Sequence, residues 1–392
     1  KTQVHPLAEH DLTHNRLTHS VEVASVGRSI GNRVGVMLQA GGFLPEGNTP
    51  SDIGAVVQVA CLAHDLGNPP FGHTGEDALR HWFRNPQNGK YLQGLSQAER
   101  NDVQTYEGNA HSLRILASLE MYPNGGGMRL TSATIGALLK YPWTTLHENG
   151  LKKFNIYQTE LPFIRRVADE LGLIELGTDY WARHPLSYLM EAADDICYAL
   201  LDLEDAVELD LLSDAEVESI LSELTFIEPT WHAQSGRQRC AMLRGIAIGR
   251  AIEDVAQTFM MHQSDLLAGC FKGKDLLALC SPAVQNTLEK AKELARTRIF
   301  RHHTKLITEI ATFPCLGSIL DLLVPAAYAL IVEKKTDVRK SLALELLKNS
   351  EPILESDSLY QAYMKILDFA GGMTDNAAAK MARDLSGLGI RG

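Results

Sequence analysis

The chain has 392 residues, of which 45% are hydrophobic and 22% are charged, and these proportions exclude an intrinsically disordered protein. Its 37 lysines and arginines are outnumbered by 48 aspartates and glutamates, and the resulting net charge of −11 argues against a surface largely covered by nucleic acid. The longest uninterrupted apolar run, residues 322–332, is shorter than the roughly 18 residues that a membrane-spanning helix needs. The sequence therefore predicts no membrane segment and no membrane partner.

Six cysteines are spread along the chain at positions 61, 197, 240, 270, 280 and 315, and no two are spaced as C-x-x-C. In a chain of this size, such scattered cysteines are typical of reduced thiols rather than of a disulfide framework or a thiolate metal site. We therefore predict a cytoplasmic protein.

Apolar residues recur three and four positions apart over long stretches, whereas alternating patterns are scarce, so the predicted fold class is all-α. Clusters of glycine, proline and asparagine predict three loops, at residues 41–50, 85–94 and 123–127. None of these loops resembles a long flexible linker. We therefore predict a single domain over residues 1–392.

Two predicted helices near the N-terminus each carry a histidine on the apolar side. The first spans residues 16–37 and has His19 on its apolar stripe, and the second spans residues 52–66 and has His64 on its own stripe. Asp65 follows His64 directly. The prolines at positions 69 and 70 prevent the second helix from continuing.

A third predicted helix, residues 187–207, offers carboxylates. Asp194, Tyr198 and Asp202 lie four positions apart on the face opposite its core stripe. Two imidazoles and two carboxylates form a nitrogen and oxygen ligand set that suits Mn²⁺, Mg²⁺, Fe, Ni²⁺ or Zn²⁺. The alternative for each histidine alone is a core side chain with one satisfied hydrogen bond.

The segment that follows the second helix contains a second histidine-carboxylate pair. Thr74 is a plausible N-cap with Asp77 as its partner, which predicts that His73 lies just outside a helix N-terminus, where anions such as phosphate are favoured. Glu76 falls in the first turn, where it is able to orient His73. The alternative for Glu76 is that it only complements the helix dipole.

Several of these segments together resemble one family. Residues 16–20 (RLTHS), 64–65 (HD), 67–73 (GNPPFGH), 106–110 (YEGNA) and 191–196 (EAADDI) closely resemble the HD-domain deoxynucleoside triphosphate triphosphohydrolases, in particular the bacterial dGTPase branch. The resemblance begins at residues 1–4 (KTQV) and extends to residues 372–375 (GMTD). It implies a metal-binding HD core over about residues 1–210 and further helices over about residues 211–392.

The resemblance implies a role for each matching residue. The metal ligands of the family correspond to His19, His64, Asp65 and Asp194, with the neighbouring Asp195 as a less favoured alternative to Asp194. The catalytic dyad corresponds to His73 and Glu76. The implied substrate-binding residues are Gln3, Arg16, Asn109, Lys140, Tyr198 and Asp202.

These substrate contacts have different implied targets. Gln3 would meet the 3′-hydroxyl; Arg16, Asn109 and Lys140 would meet phosphates; Tyr198 would pack on the deoxyribose, and Asp202 would bond sugar or base-side groups. Three of them have simpler alternatives, since Asn109 would serve as a helix cap, Arg16 as a surface cation and Tyr198 as ordinary packing.

The resemblance implies metal-dependent hydrolysis of dGTP, or of dNTPs more broadly, to the deoxynucleoside and inorganic triphosphate through attack of water or hydroxide on the α-phosphorus. It also implies one divalent metal ion per subunit, with Mg²⁺ or Mn²⁺ first and Ni, Fe or Zn as alternatives, and a homo-oligomer such as a hexamer. Two other functions stay open. One is an HD phosphohydrolase of a 5′-nucleotide or a signalling nucleotide, and the other is a non-catalytic oligomer that senses nucleotides or DNA.

A basic stretch at residues 290–305 holds six lysines and arginines together with His302 and His303. Such a stretch favours a phosphate or single-stranded DNA as an effector. The alternative is a solvated helix face.

Overall fold

The structure is a computed structural model, and it describes residues 15–121, 127–208, 212–225, 234–298, 303–348, 350 and 352–387. Most of these residues are helical, which confirms the predicted all-α class. The α-helices are α1 Arg16–Ala40, α2 Pro50–Ala63, α3 Gly72–Arg84, α4 Gln97–Gln104, α5 Gly108–Arg114, α6 Ser132–Leu138, α7 Leu161–Leu171, α8 Pro185–Glu208, α9 Asp214–Leu221, α10 Gly236–Met261, α11 Gln263–Leu267, α12 Pro282–Arg298, α13 His303–Tyr328, α14 Val338–Glu345, α15 Leu359–Gly372 and α16 Asp375–Leu385.

Shorter elements connect these helices. Two segments, Pro86–Leu92 and Leu277–Leu279, are 3₁₀-helices, and Ile115–Leu119 and Ala329–Glu333 form π-helical turns. Strands β1 (Glu175–Gly177) and β2 (Tyr180–Trp181) pair antiparallel, with Glu175 opposite Trp181 and Gly177 opposite Tyr180.

Two large hydrophobic clusters organise the described helices. The first is formed mainly by α1, α2, α8, α10 and α12, with Ile30, Val57 and Ile196 fully buried in it. The second is formed mainly by α3, α13 and α15, where Leu79 and Leu320 are fully buried. The short segment between α2 and α3 runs from one cluster to the other. The candidate functional residues lie on and around this segment.

Close packing between α1 and α2 sets the distance between their histidines. A Cβ atom added at Gly31 in α1 would lie 2.9 Å from the Cα atom of Gly54 in α2, so the two backbones touch where Gly31 has no side chain. Helix α1 begins with Asn15 as its N-cap, whose side chain accepts hydrogen bonds from the backbone of Leu17 and Thr18. These contacts hold the first turn, and His19 follows it directly.

The predicted start of α3 is wrong. Helix α3 begins at Gly72 rather than after Thr74, so His73 lies inside the first turn and not outside the helix. The N-cap position is occupied by Phe71 in the left-handed backbone region, and its amide donates to Asp375 Oδ1 at 2.9 Å. A partner this distant in sequence leaves no local signal, which explains the error.

Other predicted boundaries shift by smaller amounts. Helix α2 ends at Ala63 instead of residue 66, and the predicted loop at 85–94 contains the 3₁₀-helix Pro86–Leu92. This turn forms because Asn85 caps it, accepting a hydrogen bond from the Gln87 amide at 3.0 Å. The predicted loop at 123–127 lies almost entirely outside the described residues. All six cysteines are described and are free, as predicted.

One described stretch, Leu306–Glu333, is long and apolar enough to cross a membrane by length and composition. It is not an uninterrupted apolar run, because two threonines, one serine and three acidic residues are interspersed among its apolar side chains. Helix α13, which makes up most of it, packs against α3, α14, α15 and α16. Core helices pass the same test, so this stretch is weak evidence for a membrane span.

Candidate metal centre and catalytic cleft

Three predicted metal ligands converge in the structure. The Nε2 atoms of His19 and His64 each lie 3.2 Å from Asp194 Oδ1, and the three potential ligand atoms are within 4.8 Å of one another. His19 comes from the start of α1, His64 follows the last residue of α2, and Asp194 lies in the middle of α8. Both imidazoles are buried, with 3% and 6% of their residue surfaces exposed.

The orientation of His64 suits a metal ligand. Its Nδ1 lies 2.6 Å from the carbonyl oxygen of Cys61, and a donated Nδ1–H at this position leaves Nε2, which faces Asp194, to bind either a proton or a metal ion. The Nε2 atom is buried and has no well-aligned hydrogen-bond partner, although Asp194 is near. A buried nitrogen in this condition, next to a carboxylate and a second imidazole, fits a divalent cation.

Asp65, the fourth predicted ligand, lies beside this group rather than within it. Its Oδ1 is 3.7 Å from His64 Nε2 and accepts a hydrogen bond from Asn68 Nδ2 at 2.5 Å. Its Oδ2 accepts from Arg16 Nη1 at 2.8 Å. Arg16, predicted to meet phosphate, therefore contacts a predicted metal ligand in this structure.

The two adjacent aspartates of α8 have different partners. Asp194 faces the histidines, and its Oδ2 also accepts from Lys140 Nζ at 3.2 Å. Asp195 turns to α12, where Lys292 Nζ lies 2.8 Å from its Oδ1. The structure therefore brings Asp194, and not Asp195, to the histidine pair.

We expect Asp194→Asn to lose tightly bound divalent metal and Asp195→Asn to keep it. The two substitutions make the same chemical change one residue apart, but Asp195 loses only a partly exposed ion pair worth about 1 kcal/mol or less. Metal content after desalting, measured by elemental analysis, tests the expectation. Loss of metal from Asp195→Asn together with retention in Asp194→Asn would reverse the ligand assignment.

The charges in this centre are strongly linked. Burial lowers the pKa of His64, but Asp194 and Asp65 outweigh burial and raise that pKa to about 9. Burial raises the pKa of Asp194, but His64 and Lys140 overcome this effect and hold it well below its ordinary value. Protons and Lys140 therefore balance the carboxylate charge in this arrangement.

Because His64 binds a proton below about pH 9, a cation has to displace that proton. We expect the apparent affinity for Mn²⁺ to increase as the pH rises toward 9, by up to about tenfold per unit, and to level off above it. Calorimetric titration with Mn²⁺ near neutral pH, in buffers of different ionisation enthalpy, should show release of about one proton per ion. An affinity that is independent of pH, with no proton release, would contradict the prediction.

The predicted dyad is formed at the first turn of α3. His73 Nδ1 lies 3.2 Å from Glu76 Oε2, and Glu76 Oε1 accepts from the Gly108 amide at 2.7 Å. The side chain of His73 is 84% exposed, whereas that of Glu76 is only 3% exposed. The hydrogen bond to Glu76 raises the pKa of His73 above its ordinary value, although partial desolvation opposes this shift. An exposed imidazole held by a buried carboxylate is suited to donate or accept a proton.

A neighbouring group of residues in the cleft has no recognisable pattern in the sequence. Glu107 is fully buried, and its Oε1 accepts from Lys153 Nζ at 3.1 Å and from Asn109 Nδ2 at 2.6 Å. Glu107, and not Asn109, is the N-cap of α5, so the capping alternative for Asn109 is wrong. Lys153 lies in a connection without regular structure and follows another lysine, so no periodicity distinguished it from a surface cation.

A single cleft of about 200 Å³ joins these groups. The predicted residues that line it are His64, Asp65, Asp194, His73, Glu76, Asn109 and Lys140, and the additional ones are Asn68, Glu107, Tyr141 and Lys153. The half-buried Tyr198 lies one turn after Asp194 on α8. Gln3 and the side chain of Asp202 lie outside the described part of the chain.

The chain is similar to known proteins over nearly its whole length. Residues 16–101 match the model of the HD domain. The chain is 44% identical to the deoxyguanosinetriphosphate triphosphohydrolase-like protein of Pseudomonas aeruginosa PAO1, over 99% of this chain and 89% of that protein.

The chain belongs to the deoxyguanosinetriphosphate triphosphohydrolase-like family. A Synechocystis protein of the same name is 34% identical over 100% of this chain and 90% of its own length. The deoxyguanosinetriphosphate triphosphohydrolase of Cronobacter sakazakii is 30% identical over 96% of this chain and 87% of its own. Membership supports a hydrolase with a divalent metal site, for which His19, His64 and Asp194 are the candidate ligands. The HD match covers His19, His64 and Asp65, whereas Asp194 lies beyond it.

Proposed function

We propose that this chain hydrolyses dGTP, and other dNTPs to a degree that its pocket determines, to the deoxynucleoside and inorganic triphosphate. The nucleophile would be water or hydroxide, and the bond broken would join the α-phosphorus to the 5′-oxygen. The observation that carries the proposal is the shared cleft, in which a cation site, a histidine-carboxylate pair and two lysines lie together. The names of the relatives supply the substrate.

His19, His64 and Asp194 would hold the cation, with Asp65 beside them. A divalent cation bound at such a site lowers the pKa of a water molecule and polarises a phosphoryl oxygen. The remaining chemistry falls to the chain's own side chains. Magnesium and manganese are the proposed ions, because nitrogen and oxygen donors without thiolates accept either.

His73 is the proposed general acid for the departing 5′-oxygen. Glu76 accepts the Nδ1–H of His73, so Nε2 is the nitrogen available for proton transfer. Because Glu76 also accepts from the Gly108 amide, its carboxylate is fixed and fixes the imidazole in turn. The alternative role for His73 is to stabilise the negative charge that develops in the transition state.

Cationic and amide groups along the cleft suit a triphosphate. Lys140 and Lys153 line it, and each has a carboxylate partner, Asp194 and Glu107 respectively. A polyphosphate would draw these ammonium groups from their present partners. Asn109 and Arg16 are the further proposed phosphate contacts. Tyr198 and Gln3 stay predictions for the sugar of the substrate, and Asp202 stays a prediction for its sugar or base-side groups.

Product analysis tests the proposed reaction. Each dNTP, and dGMP as a 5′-nucleotide, is incubated with the protein and either Mg²⁺ or Mn²⁺, and the products are separated by anion-exchange chromatography. We expect deoxyguanosine and inorganic triphosphate from dGTP as the first products. The matched control is Asp194→Asn, which should release neither.

Other outcomes would favour the alternative functions. Orthophosphate from dGMP without triphosphate from dGTP would indicate another HD phosphohydrolase. Tight binding of dGTP without any product, with metal present, would indicate a nucleotide-sensing protein.

Homo-oligomer formation, a hexamer in particular, and activation by single-stranded DNA stay predictions. Within the described part of the basic stretch, Lys290 pairs with Glu223 and Lys292 with Asp195, so these two cations already have acidic partners. Residues 299–302 lie outside the described part of the chain.

A further inference from the structure

Arg80 lies one turn after Glu76 on α3, and its guanidinium faces two buried carboxylates. Its Nη2 atom is 3.4 Å from Glu76 Oε2 and 3.2 Å from Glu107 Oε2. Its Nε donates to the carbonyl oxygen of Tyr106 at 2.8 Å, which fixes the plane of the guanidinium. The Arg80 side chain is only 15% exposed, so water screens these contacts weakly.

Two carboxylates this well buried need cations nearby. Glu76 and Glu107 are 2% and 0% exposed, and each raises the cost of ionising the other. Burial raises the pKa of Glu76, but His73, Lys153 and Arg80 outweigh burial and lower it below its ordinary value. Burial, followed by the charge of Glu76, raises the pKa of Glu107, with Lys153 opposing.

The other charged and titratable groups around this pair are few in the described structure. Asp77 lies 3.3 Å from Arg80 Nη1 on the solvent side, and the hydroxyls of Tyr106 and Tyr157 are buried nearby. On the cleft side, the positive charges of Lys153 and Arg16 lower the pKa of His73. Arg80 is therefore the only described arginine that contacts both carboxylates directly.

We propose that Arg80 is a positioning residue, which keeps Glu76 ionised and directed at His73 so that His73 is oriented for the reaction. The inference rests on the proposed function for its catalytic consequence, but the effect on Glu76 is a property of the protein itself. Arg80 does not line the cleft and has no contact with substrate in this scheme.

Loss of Arg80 should change the pKa of Glu76 in a defined direction. Without its positive charge, Glu76 and Glu107 share Lys153 and His73, and ionising both becomes less favourable. Glu76 then binds a proton at higher pH, by about one unit. A protonated Glu76 no longer accepts the Nδ1–H of His73 and so no longer orients it. The acidic limb of the plot of kcat/KM against pH should therefore move to higher pH by a similar amount.

The test compares Arg80→Met, Arg80→Lys and the control Arg84→Met. Arg84 lies one turn later on α3 and donates to the Gln104 carbonyl oxygen and to Thr105, so it anchors the same helix without touching Glu76. Glutamate labelled with ¹³C at the carboxyl carbon reports the titration of Glu76, whose signal is assigned by its loss in Glu76→Gln. We expect the Glu76 midpoint to rise by about one unit in Arg80→Met, to recover in part in Arg80→Lys, and to stay unchanged in Arg84→Met.

A kinetic comparison then connects this shift to the reaction. Arg80→Met should lower kcat and shift the acidic limb to higher pH. Added to Glu76→Gln, it should lower kcat little further, because both substitutions act through the same carboxylate. Additive losses with an unshifted limb would indicate a structural role alone and would overturn the inference. An unshifted Glu76 midpoint would overturn it too, whether or not the protein is active. A shifted midpoint in a protein that releases no triphosphate would retain the positioning of Glu76 and remove the proposed function instead.

Discussion

Replacing His64 with alanine is expected to remove bound divalent metal and to abolish triphosphate release. His64 contributes a buried Nε2 that has no well-aligned hydrogen-bond partner, and its loss leaves His19 as the one imidazole beside Asp194 among the described residues. Changes in the surroundings of a metal ligand already cost about 10- to 100-fold in metal affinity, so loss of a ligand should cost more. Elemental analysis after desalting and product chromatography with dGTP measure the two effects together.

His184→Ala serves as the matched control. His184 is also largely buried, and desolvation lowers its pKa to about 4, but it does not line the catalytic cleft. We expect this variant to keep its metal and its activity at temperatures where it is folded, as judged by thermal unfolding of both variants. Full activity in metal-free His64→Ala would contradict the proposed mechanism.

Replacing His73 with glutamine is expected to leave metal binding intact and to reduce kcat by about 10²- to 10⁴-fold, the usual contribution of a general acid or base. The side chain is 84% exposed, so its replacement should change stability little. Steady-state kinetics at saturating metal, with metal content measured in parallel, separates the loss of proton transfer from the loss of the ion.

His81→Gln controls for a change of histidine on the same helix. His81 is an exposed residue of α3 whose ring contacts Phe313, and it lies outside the cleft. Wild-type kcat is expected for His81→Gln. Near-normal turnover in His73→Gln, or loss of its metal, would remove His73 from the proposed role.

The sequence predicted the helices that carry the metal centre because their signals are local. The apolar stripe of α1 places His19 on its buried side, and the spacing of α8 separates Asp194 from the core residues. Only the family resemblance distinguishes Asp194 from Asp195 at the level of sequence. In the structure the two differ because Asp195 forms an ion pair with Lys292, a residue 97 positions away, and such a contact leaves no local pattern.

The features that could not be predicted all depend on contacts between distant segments. Phe71 starts α3 in a left-handed conformation because Asp375, near the other end of the chain, binds its amide. Gly67, just after α2, has to lack a side chain, since a Cβ there would lie 2.1 Å from the amide nitrogen of Ser112, a residue 45 positions away. The contact of Arg80 with Glu107 joins residues 27 positions apart, so no local pattern in the sequence indicates it.

A crystal of the protein soaked in Mn²⁺, with diffraction recorded at the manganese absorption edge, tests the central claim most directly. We predict one anomalous peak per chain within about 2.2 Å of His19 Nε2, His64 Nε2 and an oxygen of Asp194. A peak bound by other residues, or an empty cluster at saturating Mn²⁺, would contradict the metal centre and the hydrolytic mechanism that depends on it.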